Sequence, residues 1–150
     1  ALAVSVGVGA NVQLTSGSRT YPDRLFYLGG FDSMRSFLAD SVVPQDVAEK
    51  VDAGELRIEE VAVRGGDFSW NPRVDMRLPL TGTFALGVFL DTGNLWVDPL
   101  AFNPIKLRYG LGAGLRITTP IGPLAFDYGF NLDPYEWEDV GALHFSIGLF

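Results

Sequence analysis

Residues 124–132 alternate without a break: Leu124, Phe126, Tyr128, Phe130 and Leu132 share one face, and Ala125, Asp127, Gly129 and Asn131 the other. A period of two means β-strand, because successive side chains point to opposite faces. The end of the chain repeats it, with Leu143, Phe145, Ile147 and Leu149 against His144, Ser146 and Gly148. A single strand of this kind fits either a soluble sheet or a membrane wall. A soluble β-sandwich would need a partner sheet to cover the apolar face of every strand. A long series with one greasy face and one polar or glycine face reads better as a wall between lipid and an aqueous lumen.

Parity places about six strands along the chain, each near the roughly 9–11 residues that a tilted strand needs to cross a bilayer. The first covers about 1–14, with Leu2, Val4, Val6 and Val8 opposite Ser5, Gly7 and Gly9. The second, about 66–79, sets Phe68, Trp70, Val74, Met76 and Leu78 against Asp67, Ser69, Asn71, Arg73, Asp75 and Arg77. Pro72 lacks an N–H, which predicts an edge or a bulge at that end. The third covers about 83–93 and the fourth about 105–119; the fifth and sixth hold the segments already described. Connections alternate in length: 80–82 and 120–122 are short, whereas 15–65, 94–104 and 133–141 are long. Tight turns on one rim and long loops on the other are the habit of outer-membrane barrels. The long loops are acidic, and 45–61 reads as a solvated loop with room for a short helix.

Charge and composition remove several classes of function. The formal charge is −7, with no basic stripe to neutralise phosphates, so no nucleic-acid partner is expected. Without cysteine there is no thiolate metal site, disulfide scaffold or cysteine nucleophile. No run of eighteen apolar residues offers a membrane-spanning helix. The chain opens directly in strand pattern, which predicts a piece of something longer.

Several ordered motifs then carry a resemblance. Phe26-Tyr27-Leu28-Gly29-Gly30, followed by Met34-Arg35-Ser36-Phe37, is similar to a loop-tip motif in which a glycine pair precedes an arginine and an aromatic residue. Val74-Asp75-Met76-Arg77-Leu78-Pro79-Leu80 resembles an acidic barrel strand, and Phe89-Leu90-Asp91-Thr92-Gly93 resembles an F-x-D-x-G strand motif. Together with Thr119-Pro120-Ile121-Gly122-Pro123 and Leu143-His144-Phe145-Ser146-Ile147-Gly148, they resemble the outer membrane protein 85 superfamily, the BamA/TamA-type barrels. Ser36 stands where that family usually has glycine. Arg64-Gly65-Gly66 looks like a second loop-tip motif but falls where a strand begins.

The resemblance implies an all-β fold: an antiparallel transmembrane β-barrel segment of about six strands, the C-terminal part of a barrel of about sixteen. No POTRA domain falls within the chain, and 15–65 would be its long extracellular loop. The implied setting is the bacterial outer membrane. The implied work is insertion or export of β-rich proteins through a lateral seam and lumen loop. Implied partners are outer-membrane lipid, the missing barrel strands and POTRA domains or other chains, client proteins and accessory lipoproteins. The seam strand would be 141–149, with Leu143, Phe145, Ile147, Gly148 and Phe150; Gly148 matches a family glycine at which the strand bends. A different class, a passive pore or a membrane anchor for a fused lipase-like domain, fits the same barrel.

Catalysis is not expected, and neither is a metal or cofactor. Gly110-x-Gly112-x-Gly114 lies inside one strand with no following helix, so it reads as small lumen residues over which a loop packs closely. Asp127, His144 and Ser146 share the lumen parity, yet no nucleophile elbow accompanies them. Arg35 is the candidate of interest. Parity points Asp75 and Asp91 into the lumen on neighbouring strands, and a loop of this length is uncommon without a purpose. From the residues alone Arg35 is either an exposed loop arginine or an inward fork on those carboxylates. The resemblance implies the inward pair, with Asp91 first and Asp75 second, Gly29, Gly30 and Phe37 shaping the loop tip. In a hydrated lumen such a pair is expected to contribute about 1–2 kcal/mol.

Overall fold

The structure, a computed structural model, describes residues 1–148. Six strands form one antiparallel sheet in sequence order: β1 (Leu2–Ala10), β2 (Phe68–Pro79), β3 (Phe84–Trp96), β4 (Arg108–Thr119), β5 (Gly122–Asn131) and β6 (Gly141–Ile147). This order follows from the connections, since antiparallel neighbours need only a tight turn. Gly82 and Gly122 supply the positive φ, 66° and 122°, for the two short turns. Within the described residues β1 and β6 each have one neighbour, so the sheet has two free edges.

Burial follows the parity. Val74, Met76, Leu90, Leu111, Leu115, Phe126, Phe130 and Phe145 lie exposed on the outer face. On the inner face Asn71, Asp91, Arg108, Arg116, Asp127 and Asn131 are buried. A soluble protein would invert this arrangement. Among the described residues no helix is long and apolar enough to cross a membrane.

Four local expectations change. Pro72 sits in an interior strand: it faces Val6 on β1, while pairing with β3 steps from Trp70–Asn94 to Arg73–Asp91. Side chains fill the gap, with Thr92 Oγ1 donating to the Pro72 carbonyl at 2.8 Å and Asn71 Nδ2 to that of Thr92 at 2.7 Å. β3 runs on to Trp96, because Leu95 is buried in the core of the long loop and Trp96 against Phe68 and Phe102. Within that loop a helix, α1 (Gln45–Asp52), buries Ala48. The Asp46 carboxylate accepts the backbone N–H groups of Val97 and Asp98 at 3.0 Å, and Glu49 pairs with Lys106. That bond from Lys106 lowers the Glu49 carboxyl below its ordinary value. Finally, β1 stops at Ala10 and β4 starts at Arg108, both shorter than the sequence pattern.

Candidate functional site

The long loop turns back and lies on the inner face of the sheet. Phe26 and Gly66 exchange backbone hydrogen bonds at 2.9 and 3.0 Å, which closes its neck. Gly29 and Gly30 take φ values of 117° and 103°, and a Cβ on Gly29 would lie 2.3 Å from the Leu38 carbonyl oxygen. Only glycine fits that turn. Gly30 N–H then donates to the carbonyls of Met34 and Phe37, each at 3.0 Å. Leu28, Met34, Phe37 and Val42 pack with Leu95 of β3 into a small apolar core. The loop tip is therefore a folded unit, and it presents Arg35 from a fixed backbone.

Arg35 meets Asp91 three times. Its backbone N–H and Nε donate to Oδ2, each at 2.9 Å, and Nη2 donates to Oδ1 at 2.7 Å. Nη2 also reaches Asp75 Oδ1 at 2.9 Å. Sequence reasoning named these partners and missed three others. Asp127 Oδ2 stands 3.9 Å from Nη1, the Phe89 ring lies 3.6 Å beneath the guanidinium, and Arg73 Nε shares Asp91 at 3.3 Å. Asp127 is also gripped by Arg116, whose Nη2 donates at 3.0 Å. Arg35, Arg73 and Arg116 thus balance Asp75, Asp91 and Asp127. Asp91 is 0% exposed and the Arg35 side chain 4%. Removing one partner from a pair this buried is expected to cost more than the about 1–2 kcal/mol of a hydrated pair, toward the roughly 3–5 kcal/mol of a broken buried pair.

Glycines make room for this contact. A Cβ on Gly110 would lie 1.5 Å from Ser36 Oγ, and one on Gly129 would lie 2.7 Å from the Arg35 carbonyl. Gly112 faces Phe89 across β3 and β4, and a Cβ there would strike that ring at 2.2 Å. The alternating glycines of β4 and β5 are a trough for the loop tip and for the aromatic beneath it. A polar-parity aromatic opposite a glycine was the signal that could have exposed the role of Phe89.

A second lock closes the rim. Arg108 Nη1 and Nη2 grip Glu138 at 2.7 and 2.5 Å, Nη2 also donates to the Asp133 carbonyl at 2.8 Å, and the Tyr135 ring lies 4.4 Å away. His144 Nε2 meets the Arg35 carbonyl oxygen at 3.0 Å. With Asp127 held by Arg116 and His144 on the loop backbone, the side chains of Asp127, His144 and Ser146 do not form a relay. Of the seam residues, Leu143, Phe145 and Ile147 point outward from β6 and are exposed. Gly148 follows the strand at φ 77° and donates its N–H to the Pro123 carbonyl at 2.7 Å. Phe150 lies outside the described residues.

A sheet with a lipid face, a buried polar face and a loop seated on the polar side defines the wall of a transmembrane β-barrel. The profile of the Omp85 superfamily domain matches residues 1–150. The chain belongs to that superfamily, as a portion of its β-barrel. Over 131 residues it is 30% identical to outer membrane protein assembly factor BamA of Nitratidesulfovibrio vulgaris, a match covering 83% of this chain and 15% of that protein. It is 28% identical over 132 residues to chloroplastic outer envelope protein 80 of Arabidopsis thaliana, covering 85% of this chain and 15% of the relative. In fold it resembles the crystal structure of BamA from Haemophilus ducreyi lacking POTRA domains 1-3. That likeness has a TM-score of 0.68 at 19% identity and covers 96% of this chain and 30% of the other. The chain spans about 15% of the length of the curated relatives it matches.

Proposed function

We propose that this chain is the loop-anchored, seam-bearing C-terminal part of a barrel that inserts or exports β-rich proteins, working without covalent chemistry. The observation that carries this reading is the buried fork of Arg35 on Asp91, which fixes a long loop on the inner face of the sheet with its Arg35 carbonyl against His144 of β6. An anchored loop keeps the lumen in one shape. On this reading β6 is the seam strand, and its outer backbone groups serve as a template for an incoming strand when the seam opens. Partners on this reading are outer-membrane lipid, the remaining barrel strands, POTRA domains, accessory lipoproteins and client β-proteins.

The test uses the intact protein in its membrane with a photo-crosslinking residue at Leu143 or Phe145. Capture of client β-strands at β6, but not at Leu111 within the sheet, supports the reading. Capture of no client at β6, together with open-pore conductance, supports a passive pore or an anchor instead.

A further inference from the structure

We infer that His144 couples the docked loop tip to the terminal strand, so that β6 and the loop yield together. The inference rests on the reading of β6 as a seam. Arg35 is the pivot at both of its ends. Its guanidinium holds Asp75 of β2, Asp91 of β3 and Asp127 of β5, while its carbonyl oxygen meets His144 of β6 at 3.0 Å. One loop residue therefore touches β2, β3, β5 and β6 at once.

The chemistry assigns the direction of this bond. A carbonyl only accepts, so Nε2 carries the proton, and the bond persists whether the imidazole is neutral or charged. Geometry explains why the ring reaches so far. Asp127 lies directly across from His144 in the β5–β6 register, and the neighbouring Gly129 lets the Arg35 backbone descend onto the sheet. A side chain on Gly129 would lift that carbonyl out of reach of β6. Leu143, Phe145 and Ile147 face outward, so they cannot report on the lumen. His144 faces inward from the middle of β6 and can. Peeling β6 from β5 removes the donor from Arg35, and loosening the loop removes the acceptor from β6. His144 is thus a positioning residue, acting through the loop and not on a client.

Hydrogen exchange in the intact, bilayer-embedded protein tests this at amides 142–147 and 33–38. His144→Ala is expected to speed exchange in both segments about fivefold, the weight of one net hydrogen bond. His144→Gln, whose side-chain amide can donate from a similar distance, should restore most of the protection in both. In an Arg35→Ala background, His144→Ala should add little at 142–147. Faster exchange in β6 alone, no change in either segment, or His144→Gln behaving like His144→Ala would overturn the coupling. Client capture is a separate reading: its loss with coupled exchange intact removes the client role and leaves the coupling standing.

Discussion

β1 and β4 show the same alternation in sequence but live in opposite surroundings. In β1 both faces are exposed from Leu2 to Val8, with Ser5 and Gly7 as open as the valines beside them, and only Gly9 is half-buried. In β4 every inward residue from Arg108 to Arg116 is buried and every outward one from Tyr109 to Leu115 is exposed. The loop tip makes the difference, since Arg35 and its neighbours lie on β2–β6, whereas the loop reaches β1 only at its end, where Phe26 sits over Gly9. Parity decides which face a residue takes, and the loop decides which part of that face is dry. Under the loop tip the buried carboxylates of Asp91 and Asp127 each have an arginine, whereas buried Asp67, just before β2, accepts from Asn11.

The contrast can be broken first at its centre. Asp91→Ala should cost about 3–5 kcal/mol, because it leaves the buried Arg35 without its main carboxylate and takes one from half-buried Arg73 as well. Asp75→Ala should cost less, since Asp75 is 38% exposed. Unfolding of the barrel in bilayers by denaturant reads both, and equal effects would contradict the covered-face account. The outer face comes next. Leu111→Arg, at mid-strand facing lipid, should cost about 2–4 kcal/mol by the same measurement. Tolerance equal to that of an exposed loop site such as Glu55→Arg would contradict the lipid assignment. The smallest effect compares two inward glycines directly. Gly110→Val drives a side chain into Ser36 and should cost roughly 1–3 kcal/mol. Gly7→Val meets only Asn71 at ordinary contact distance, 3.7 Å, and should change stability by less than about 0.5 kcal/mol.

Much of this was legible in the residues, and the reasons differ by level. Strand identity followed from parity, because a period of two leaves no freedom once one face is greasy. Strand ends did not: β3 continues through Asn94, Leu95 and Trp96, where Gln45 of α1 binds Asn94, the loop core covers Leu95, and Phe68 and Phe102 pack on Trp96. Asp75 and Asp91 were identifiable as inward carboxylates. Asp127 was considered for another chemistry, because its partner Arg116 lies on a different strand, eleven residues away. His144 drew attention as a lone histidine, but its partner is a backbone carbonyl 109 residues distant. No sequence pattern marks an acceptor of that kind. Phe89 was visible on the polar parity, and only its pairing with Gly112 explains why an aromatic belongs there.

The central claim is that Arg35 holds the long loop in the lumen through Asp91. A double-mutant cycle on Arg35→Ala and Asp91→Ala tests it most directly, read in the intact protein by protease cleavage within 15–65. Each single change should release the loop to cleavage, and the double mutant should be cleaved no faster than the worse single mutant. Strictly additive effects, or a loop as protected in Arg35→Ala as in the unaltered protein, would contradict the account.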